Sequence, residues 1–283
     1  MKIAALTMAY RDYEMLDRWC KYYGDQLGRE NVFVVSHGHD PKHLEITQGC
    51  NLITIPREPV DHFDPWRFEM LYQFAQFLHA SYDWVIRTDT DEFIVVDRSV
   101  GSLRQMLDQQ SKPFVFALGI EVFQDEAEAE LTASPITAQR KYGLLWSSYS
   151  KTFATMSGWK TEFHGVHFDW EGGQRPRVNM PQGVYLLHMR LCSKAVHEAH
   201  SNRKSNMENA PRSWRRWQKR EQELWDKISL GPVENSEDHI QEIWENQNNS
   251  RMWRFYRNGV LRPKSLDEYN RVVELPPGIV GLV

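Results

Sequence analysis

The sequence predicts an α/β fold, in which a mainly parallel sheet is flanked by helices and followed by a helical appendage. In the first hundred residues, short apolar runs alternate with helical patterns, as they do in successive strand–helix–strand units. The chain has 283 residues, of which 41% are hydrophobic, so it is long enough to bury a substantial core. Beyond residue 192 the patterns become helical. This change predicts a sheet domain over 1–192 and a helical extension packed on it over 193–283.

The first third of the chain divides into regular elements. Apolar runs at Ile3–Met8, Asn31–Val35 and Leu52–Ile55 predict three strands, the third ending at Pro56, and Trp84–Ile86 predicts a fourth. Two amphipathic helices are expected between these strands, over 13–27 and around 66–78. Their inward-facing residues are Leu16, Trp19, Cys20, Tyr23, Trp66, Met70, Phe74, Phe77 and Leu78.

The rest of the chain is less regular. A short helix at 103–107 and a strand at 114–118 are expected, and the acidic residues from Glu121 to Glu130 are interpreted as a solvated loop or helix. Strand patterns follow over 142–153 and over 184–187, the latter ending at His188. Two helical stripes mark the extension, with Trp217 and Trp225 expected to pack inward. The stripes consist of Trp214, Trp217, Leu224, Trp225 and Ile228, and of Ile240, Ile243 and Trp244.

Charge and cysteine content limit the classes of function. The formal net charge of −4 argues against a general nucleic-acid-binding protein, because such proteins need a basic excess to displace counterions from phosphates. Three widely spaced cysteines without a CxxC pair fit a reducing compartment better than a disulfide framework. Neither a secretory leader nor a run of about 18 apolar residues is present, so the predicted location is cytoplasmic.

One basic stretch stands out against this background. Between residues 188 and 220 there are nine Lys and Arg residues and two Glu residues. A basic stretch of this kind can bind a diphosphate, an acidic acceptor or the anionic inner face of a membrane. Binding to that face would make this a peripheral membrane protein. A solvated helix face is the simpler interpretation of the same residues.

The chemistry is predicted at the carboxyl ends of the strands. Ligands of open parallel sheets bind there, so the loops at Tyr10, Ser36–Asp40, Arg57 and Asp89–Glu92 are expected to share one edge. Asp89 and Asp91 form a DxD arrangement between two apolar runs, where burial of carboxylates calls for a compensating cation. Hard carboxylate oxygens suit Mg²⁺ or Mn²⁺, and such a metal would bridge the two phosphates of a nucleotide sugar.

At these residues the sequence resembles a known family. The segment 83–93, DWVIRTDTDEF, is similar to the signature of family 2-like bacterial glycosyltransferases with the GT-A fold, a Rossmann-like α/β architecture. Residues 6–14 and 34–40 resemble the first two strand–helix units of that family. The likeness covers roughly residues 3–100 well, and continues weakly at Ser150-Lys151 and at 186–190, which look like its later SK and HxR positions.

The resemblance implies a metal-dependent glycosyltransferase of the hexosyltransferase type, acting in polysaccharide biosynthesis. Its Mn²⁺ or Mg²⁺ would be bound mainly by Asp91, with Asp89 near the donor ribose or sugar and His188 completing the metal site. Glu92 would orient the acceptor or the metal shell. The implied partners are a nucleotide-sugar donor, with UDP favoured, and a glycan or lipid-linked acceptor. In one respect the chain departs from the family: Ser36 and His37 stand where many members carry paired aspartates that read the base.

The remaining site predictions concern donor binding and proton transfer. Lys151 or Arg190 would steady the leaving diphosphate. An inverting transfer also needs a base near the anomeric carbon; Asp169 and Glu171 are favoured over the neighbouring Glu162, His164 and His167, and an ordinary polar loop explains these residues equally well. The full donor-binding set is Thr7, Tyr10, Asp40, Arg67, Asp89, Lys151 and Arg190, and the catalytic set is Asp169, Glu171 and Glu92.

Two other functions remain open at this point. A sugar nucleotidyltransferase also combines an α/β sheet with Mg²⁺ and phosphates, but it usually carries a glycine-rich loop after strand one, and residues 9–12 contain no glycine. A non-catalytic carbohydrate-binding module on the same fold is the second alternative. The presence of Asp89, Asp91 and Glu92 together argues against that module.

Overall fold

The structure is a computed structural model that describes residues 1–57, 63–162, 165–167, 178–198, 222–247, 252–256, 259–264 and 268–283. It is a mixed α/β protein in which several sheets are flanked by helices. Four helices of the first half are α1 (Tyr13–Leu27), α2 (Pro41–Ile46), α3 (Phe63–Leu78) and α4 (Leu103–Asp108). The described strands form three sheets.

The first sheet has the strand order β3-β2-β1-β4-β9-β6 among the described residues. The strands β1 (Ile3–Ala9), β2 (Val32–His37), β3 (Asn51–Ile55) and β4 (Trp84–Arg87) are parallel to their neighbours in this set. The strands β9 (Thr152–Thr155) and β6 (Phe114–Phe116) complete the sheet through antiparallel pairs. The carboxyl ends of β1 to β4 therefore meet at one edge, which confirms the predicted position of the acidic turn after β4.

The second sheet has the order β15-β8-β7-β12-β5. Its strands are β5 (Glu92–Val96), β7 (Leu118–Phe123), β8 (Tyr142–Leu145), β12 (Val184–Leu191) and β15 (Val272–Glu274). Because β12 lies between β5 and β7, His188 is level with Glu92 on one side and with Glu121 on the other. This register brings together three polar residues that are far apart in the sequence.

The third sheet is antiparallel and involves the residues after 192. It has the order β10-β11-β14-β13, with β10 (Thr161–Glu162), β11 (Gly165–His167), β13 (Trp253–Phe255) and β14 (Val260–Pro263). The extension also contains helical residues 194–198 and 222–228 and the helix Ser236–Glu245. Strands β13 to β15 were not predicted, because strands of three or four residues are too short to show a periodicity.

The core follows the predicted helical faces with one exception. Leu16, Trp19, Cys20 and Tyr23 of α1 are all buried, as expected. In α3 the prediction for Phe77 was wrong, because this side chain is 73% exposed. The buried face of α3 instead carries Leu71, Ala75 and Leu78, whose spacing of four and three residues places them on one helical stripe.

Three other predictions need correction or fall outside the described residues. Glu121 does not belong to a solvated stretch, because it lies in β7 and is fully buried. His188 lies inside β12 rather than at its end. Trp225 is half-buried and packs beside the buried Leu224, whereas Trp217 lies outside the described residues, as does Trp214. Within the described chain, no helix has the length and apolar character that crossing a bilayer requires.

Candidate functional site

The candidate site is built on the turn 88–91, which joins β4 to β5. Both ends of the turn are fixed: the Asp89 amide donates to Glu92 Oε2 at 2.9 Å, and the Trp19 indole donates to Thr88 Oγ1, also at 2.9 Å. The amide of Met189, on β12, donates to the Asp91 carbonyl at 2.8 Å. These three hydrogen bonds therefore hold the turn between β4 and β5 in one conformation.

Asp89 is paired with an arginine. Arg67, on α3, donates from Nη1 to Asp89 Oδ1 at 2.9 Å. Burial by itself raises the pKa of Asp89, but the Arg67 cation, with Lys151 and Arg87, outweighs this effect and holds the pKa well below its usual range. Asp89 is therefore ionised, and one of its oxygens is engaged by a guanidinium.

Glu92 is also paired, with the lysine predicted to bind the donor. Lys151 Nζ lies 2.6 Å from Glu92 Oε1, and the two side chains are 6% and 3% exposed. Since the other Glu92 oxygen accepts the Asp89 amide, both oxygens have partners inside the protein. Glu92 therefore braces the turn through the Asp89 amide, and Lys151 neutralises its charge.

Asp91 faces a histidine that a second acid orients. His188 Nε2 lies 3.5 Å from Asp91 Oδ2, while His188 Nδ1 lies 2.5 Å from Glu121 Oε2. The other oxygen of Glu121 accepts the Leu191 amide at 3.1 Å, and the ring of Tyr149 stacks on His188 with centroids 4.4 Å apart. The imidazole is thus held from two sides, with Nε2 directed towards Asp91.

The pKa values of Asp91 and His188 reflect the several carboxylates around them. Burial raises the pKa of Asp91 to about 6; the His188 cation opposes the rise, and the nearby Glu92 and Asp89 carboxylates add to it. Burial opposes protonation of His188, but the carboxylates of Glu121 and Asp91 outweigh burial and raise the pKa of His188 to about 9. The imidazolium of His188 therefore supplies positive charge between the carboxylates of Asp91 and Glu121.

The loop after β1 contributes an acid that the sequence analysis missed. Thr90 Oγ1 donates to Asp12 Oδ2 at 2.9 Å. Arg11 and Asp12 have φ of 58° and 51°, in the left-handed region, which costs roughly 1–2 kcal/mol per non-glycine residue. Asp12 occupies the N-cap position of α1, yet its side chain makes no cap hydrogen bond. Nothing local in the sequence signals this geometry, because neither residue is a glycine.

Aromatic and basic side chains gather at the ends of β1, β2 and β3. The guanidinium carbon of Arg57 lies 3.9 Å from the centre of the Tyr10 ring, and Arg57 Nη1 donates to His37 Nδ1 at 2.8 Å. Burial, and then the Arg57 cation, lowers the pKa of His37 below its usual range, so the ring is neutral and accepts this bond. His37 also stacks on Phe63 and lies 5.7 Å from Trp66, centre to centre.

The other predicted site residues have different surroundings. Thr7 is fully buried on the face of β1 that packs against α1. Asp40 caps α2 by accepting the Lys42 amide at 2.9 Å. Arg190 is half-buried in β12. His167 lies in β11 and Glu162 in β10, whereas Asp169, Glu171 and His164 lie outside the described residues.

The ligands predicted for the metal are Asp91, Asp89 and His188. Over the described ranges, no group of three or more His, Cys, Asp or Glu side chains is arranged to hold a metal ion. The predicted trio is not assembled because Asp89 turns to Arg67, leaving Asp91 and His188 facing each other. Two protein ligands still fit Mn²⁺ or Mg²⁺, which commonly take their remaining ligands from substrate phosphates and water. Glu121 resembles the acid that orients a metal-binding histidine.

No protein-family model and no curated protein matches the chain. Among solved structures it is similar to a cytidylyltransferase from Leptospira borgpetersenii serovar Hardjo-bovis, with 14% identity and a TM-score of 0.27, over 41% of this chain and 54% of that one. It is similar to a CMP:2-keto-3-deoxy-manno-octonic acid synthetase complexed with CTP, with 16% identity and a TM-score of 0.29, over 56% and 65% of the two chains.

A third similar structure is a glycosyltransferase involved in the glycosylation of the major capsid of PBCV-1, with 12% identity and a TM-score of 0.24, over 42% of this chain and 52% of that one. The chain thus spans between about half and two thirds of the length of these three proteins. At these identities and scores, the likeness identifies no activity for this chain.

Proposed function

We propose that the protein is a metal-dependent glycosyltransferase that moves a sugar from a nucleotide-sugar donor to a hydroxyl group of a glycan or another acceptor. The observation that carries the proposal is the partly buried Asp91, which lies in the turn after β4 and 3.5 Å from a histidine that Glu121 orients. An acid whose pKa is raised to about 6 by burial and by other acids is a site where a cation is strongly favoured.

The charges around the turn support this assignment. Asp89 has Arg67 and Glu92 has Lys151, each at hydrogen-bond distance. Among the residues that the structure describes, the cationic partner of Asp91 is His188 at 3.5 Å, which Asp91 shares with Glu121. The negative charge with the weakest compensation among these three acids of the turn is therefore that of Asp91, which faces the edge of the sheet where ligands of such folds bind.

Asp91 and His188 are the residues that would hold Mn²⁺ or Mg²⁺. Such a cation would supply positive charge against the negative charge that develops on the diphosphate as it leaves. The protein supplies the positions: Glu121 and Tyr149 hold the imidazole, and the Thr90–Asp12 bond fixes the middle of the turn. With its Nδ1–H directed to Glu121, the neutral form of His188 would have Nε2 available as a ligand.

The cluster of Tyr10, Arg57 and His37 supports a position for the nucleoside end of the donor. Tyr10 is 41% exposed, and a flat ring next to a guanidinium offers both a stacking surface and donors for the oxygens of a base or ribose. Because His37 is neutral, it holds Arg57 through a hydrogen bond and leaves the positive charge of the guanidinium uncompensated by His37. Such a cluster recognises a base through hydrogen-bond donors, whereas paired aspartates would recognise it through hydrogen-bond acceptors.

The catalytic base is still assigned from the sequence. Asp169 and Glu171 remain the proposed candidates, and they lie outside the described residues. The cytoplasmic location, the membrane contact through residues 190–220 and the role in polysaccharide synthesis likewise remain predictions.

The proposal is tested with the purified full chain, Mn²⁺ and a panel of UDP-, GDP- and CMP-linked sugars. Release of the nucleotide, followed by mass spectrometry of the sugar product, identifies a transferase and its donor. A parallel reaction with nucleoside triphosphates and sugar 1-phosphates measures pyrophosphate, which a nucleotidyltransferase would release instead. Competition by the free nucleotides gives the preferred base, and equal inhibition by all of them would contradict base reading by the Arg57 cluster.

The Asp91→Asn variant tests the metal site directly. The substitution is nearly isosteric, so the fold is expected to persist, while transfer falls on the order of a hundredfold or more because a main electrostatic stabiliser is lost. Donor binding measured by calorimetry should also lose its dependence on Mn²⁺. Full activity of this variant, together with full activity of the wild type in EDTA, would exclude the metal mechanism.

A further inference from the structure

A buried histidine outside the candidate site connects three segments of the chain. His43 lies in α2 and is 1% exposed. Its Nε2 donates to the Arg11 carbonyl at 3.0 Å, because a carbonyl oxygen can only accept. Its Nδ1 lies 2.7 Å from Ser36 Oγ, which is hydrogen-bond distance. His43 therefore joins α2 both to the loop after β1 and to the end of β2.

Other contacts keep the ring in this orientation. The ring of Tyr13 packs edge-on against His43 with the centroids 5.8 Å apart, and the Tyr13 hydroxyl donates to Asp40 Oδ2 at 3.1 Å. Asp40 Oδ2 lies 3.9 Å from His43 Nε2, which is too far for a hydrogen bond. The Arg11 carbonyl, and not Asp40, is therefore the group to which Nε2 donates.

The bond to Arg11 acts on the strained part of the loop after β1. Arg11 has φ of 58° and Asp12 has φ of 51°, and residues other than glycine keep such a conformation only where the surrounding contacts hold it. His43 binds the carbonyl that leads from Arg11 into Asp12, and Thr90 Oγ1 donates to the Asp12 carboxylate at 2.9 Å. Two side chains from different segments thus hold these two consecutive residues.

Both partners of this histidine are next to residues of the proposed nucleoside cluster. Tyr10 directly precedes Arg11, and His37 directly follows Ser36. The rings of Tyr10 and His37 lie 6.2 Å apart, centre to centre, and both contact Arg57. The two hydrogen bonds of the buried ring therefore bear on the distance between these two aromatic rings.

We propose that His43 is a positioning residue of the candidate site. It has almost no exposed surface and touches no substrate; its two ring nitrogens fix the loop after β1 against the end of β2. Tyr10 then stays next to Arg57 and His37, and the Asp12 carboxylate stays bonded to the acidic turn. The use of these positions in donor binding rests on the proposed function, whereas the hydrogen bonds themselves do not.

Two substitutions separate the two hydrogen bonds. His43→Gln keeps an N–H donor near the position of Nε2, whereas His43→Asn keeps one only near that of Nδ1. Hydrogen exchange with mass spectrometry follows the loop through the Leu16 amide, which donates to the Asp12 carbonyl at 2.9 Å. Exchange in the peptide that contains this amide should be roughly tenfold faster in His43→Asn, because a hydrogen bond that holds the loop is lost. In His43→Gln it should stay close to the wild-type rate.

The matched control is Leu44→Asn, at an exposed position of the same helix. This change lowers the helix propensity of α2 by at least as much as His43→Asn does, and it should leave exchange in the loop unchanged. A measurement on the wild type covers the case in which His43→Asn does not fold: long-range ¹⁵N–¹H NMR should show a slowly exchanging proton on His43 Nε2. An Nε2 without a proton would overturn the proposal.

The consequence for the site is measured by calorimetry, with UDP and Mn²⁺ as the probe and the full chain as the protein. UDP affinity should fall roughly tenfold in His43→Asn and stay within about twofold of the wild type in His43→Gln. Equal affinity of both variants, or unchanged loop exchange in His43→Asn, would contradict the positioning role. A wild type that binds no nucleotide would instead contradict the proposed function, and hydrogen exchange would then decide by itself whether His43 holds the loop.

Discussion

Two ion pairs of equal length lie in different environments in this protein. Lys151 contacts Glu92 at 2.6 Å with both side chains buried, and Lys160 contacts Glu69 at 2.6 Å with both side chains partly exposed. An exposed pair contributes about 0–1 kcal/mol, because water competes for both charges. A buried pair responds differently, since removal of one partner leaves an uncompensated charge in the interior.

The Lys151→Met variant measures this difference. It should lower the free energy of unfolding by about 3–5 kcal/mol, because the Glu92 carboxylate remains buried without its cation. The matched control Lys160→Met should lower it by less than about 1 kcal/mol. Both values come from urea denaturation. The double variant Lys151→Met with Glu92→Gln should regain part of the loss, and equal losses for the two single variants would contradict the role given to burial.

At the scale of elements, the site depends on a close approach between β7 and the 3₁₀ turn Ser147–Tyr149. Gly119 lies in β7, and a Cβ added there would lie 2.4 Å from the Tyr149 carbonyl carbon and 2.6 Å from the Ser150 nitrogen. The Gly119 amide also donates to Ser150 Oγ at 3.0 Å. This short distance lets Tyr149 reach His188 and Lys151 reach Glu92.

Gly119→Ala should therefore disturb stability and function together. The methyl group meets backbone atoms that cannot move aside, so the free energy of unfolding should fall by about 1–3 kcal/mol. Displacement of the turn by about 1 Å should reduce transfer on the order of a hundredfold. The control is Gly158→Ala. Gly158 has φ of 82°, and a Cβ added there would have no neighbour within 4 Å. Because Gly158 follows β9 at the amino end of β4, far from the turn, this variant should lose some stability and no activity. Equal activity of both variants would contradict the argument.

At the scale of the whole molecule, the residues after 192 are part of the sheets and not only a helical layer. β15 pairs with β8 in the sheet that carries His188, and Val273 in that strand is fully buried. β14 pairs with β11 in the third sheet. The Val283 carbonyl accepts the Thr137 amide at 2.9 Å. These contacts join the two ranges that the sequence divides at residue 192.

A fragment of residues 1–192 should consequently lack a cooperative thermal transition when followed by near-ultraviolet circular dichroism, because β8 loses its neighbour and the apolar face of β15 leaves the core. Point variants separate this effect from the truncation itself. Val273→Ser should lower the melting temperature clearly, since it leaves a cavity and buries a hydroxyl, while Glu274→Ser, one residue on and exposed, should change it little. A fragment that melts cooperatively would show that 1–192 is an independent domain.

The fold of the first third was readable from local patterns. The predicted helix over 13–27 coincides with α1, and the four predicted strands differ from β1 to β4 by no more than two residues at either end. An amphipathic helix and a buried strand each have a periodicity that neighbours in the sequence determine. The same reasoning placed the turn with Asp89 and Asp91 at the carboxyl edge, because parallel strands share their direction.

The partners of those acids were not readable. Glu121 looked like one acid among several in a polar stretch, yet it is the residue that orients His188. Arg67, Lys151 and Asp12 contact the turn from three other segments of the chain.

The sequence by itself determined the strands, the helices and the position of the acidic turn, because each depends on residues close together in the chain. Only the tertiary structure decided which charges meet. The order of the second sheet puts β12 between β5 and β7, and this order alone brings Asp91, His188 and Glu121 within contact distance. Pairings across so many residues arise from the packing of whole elements, which no local pattern encodes.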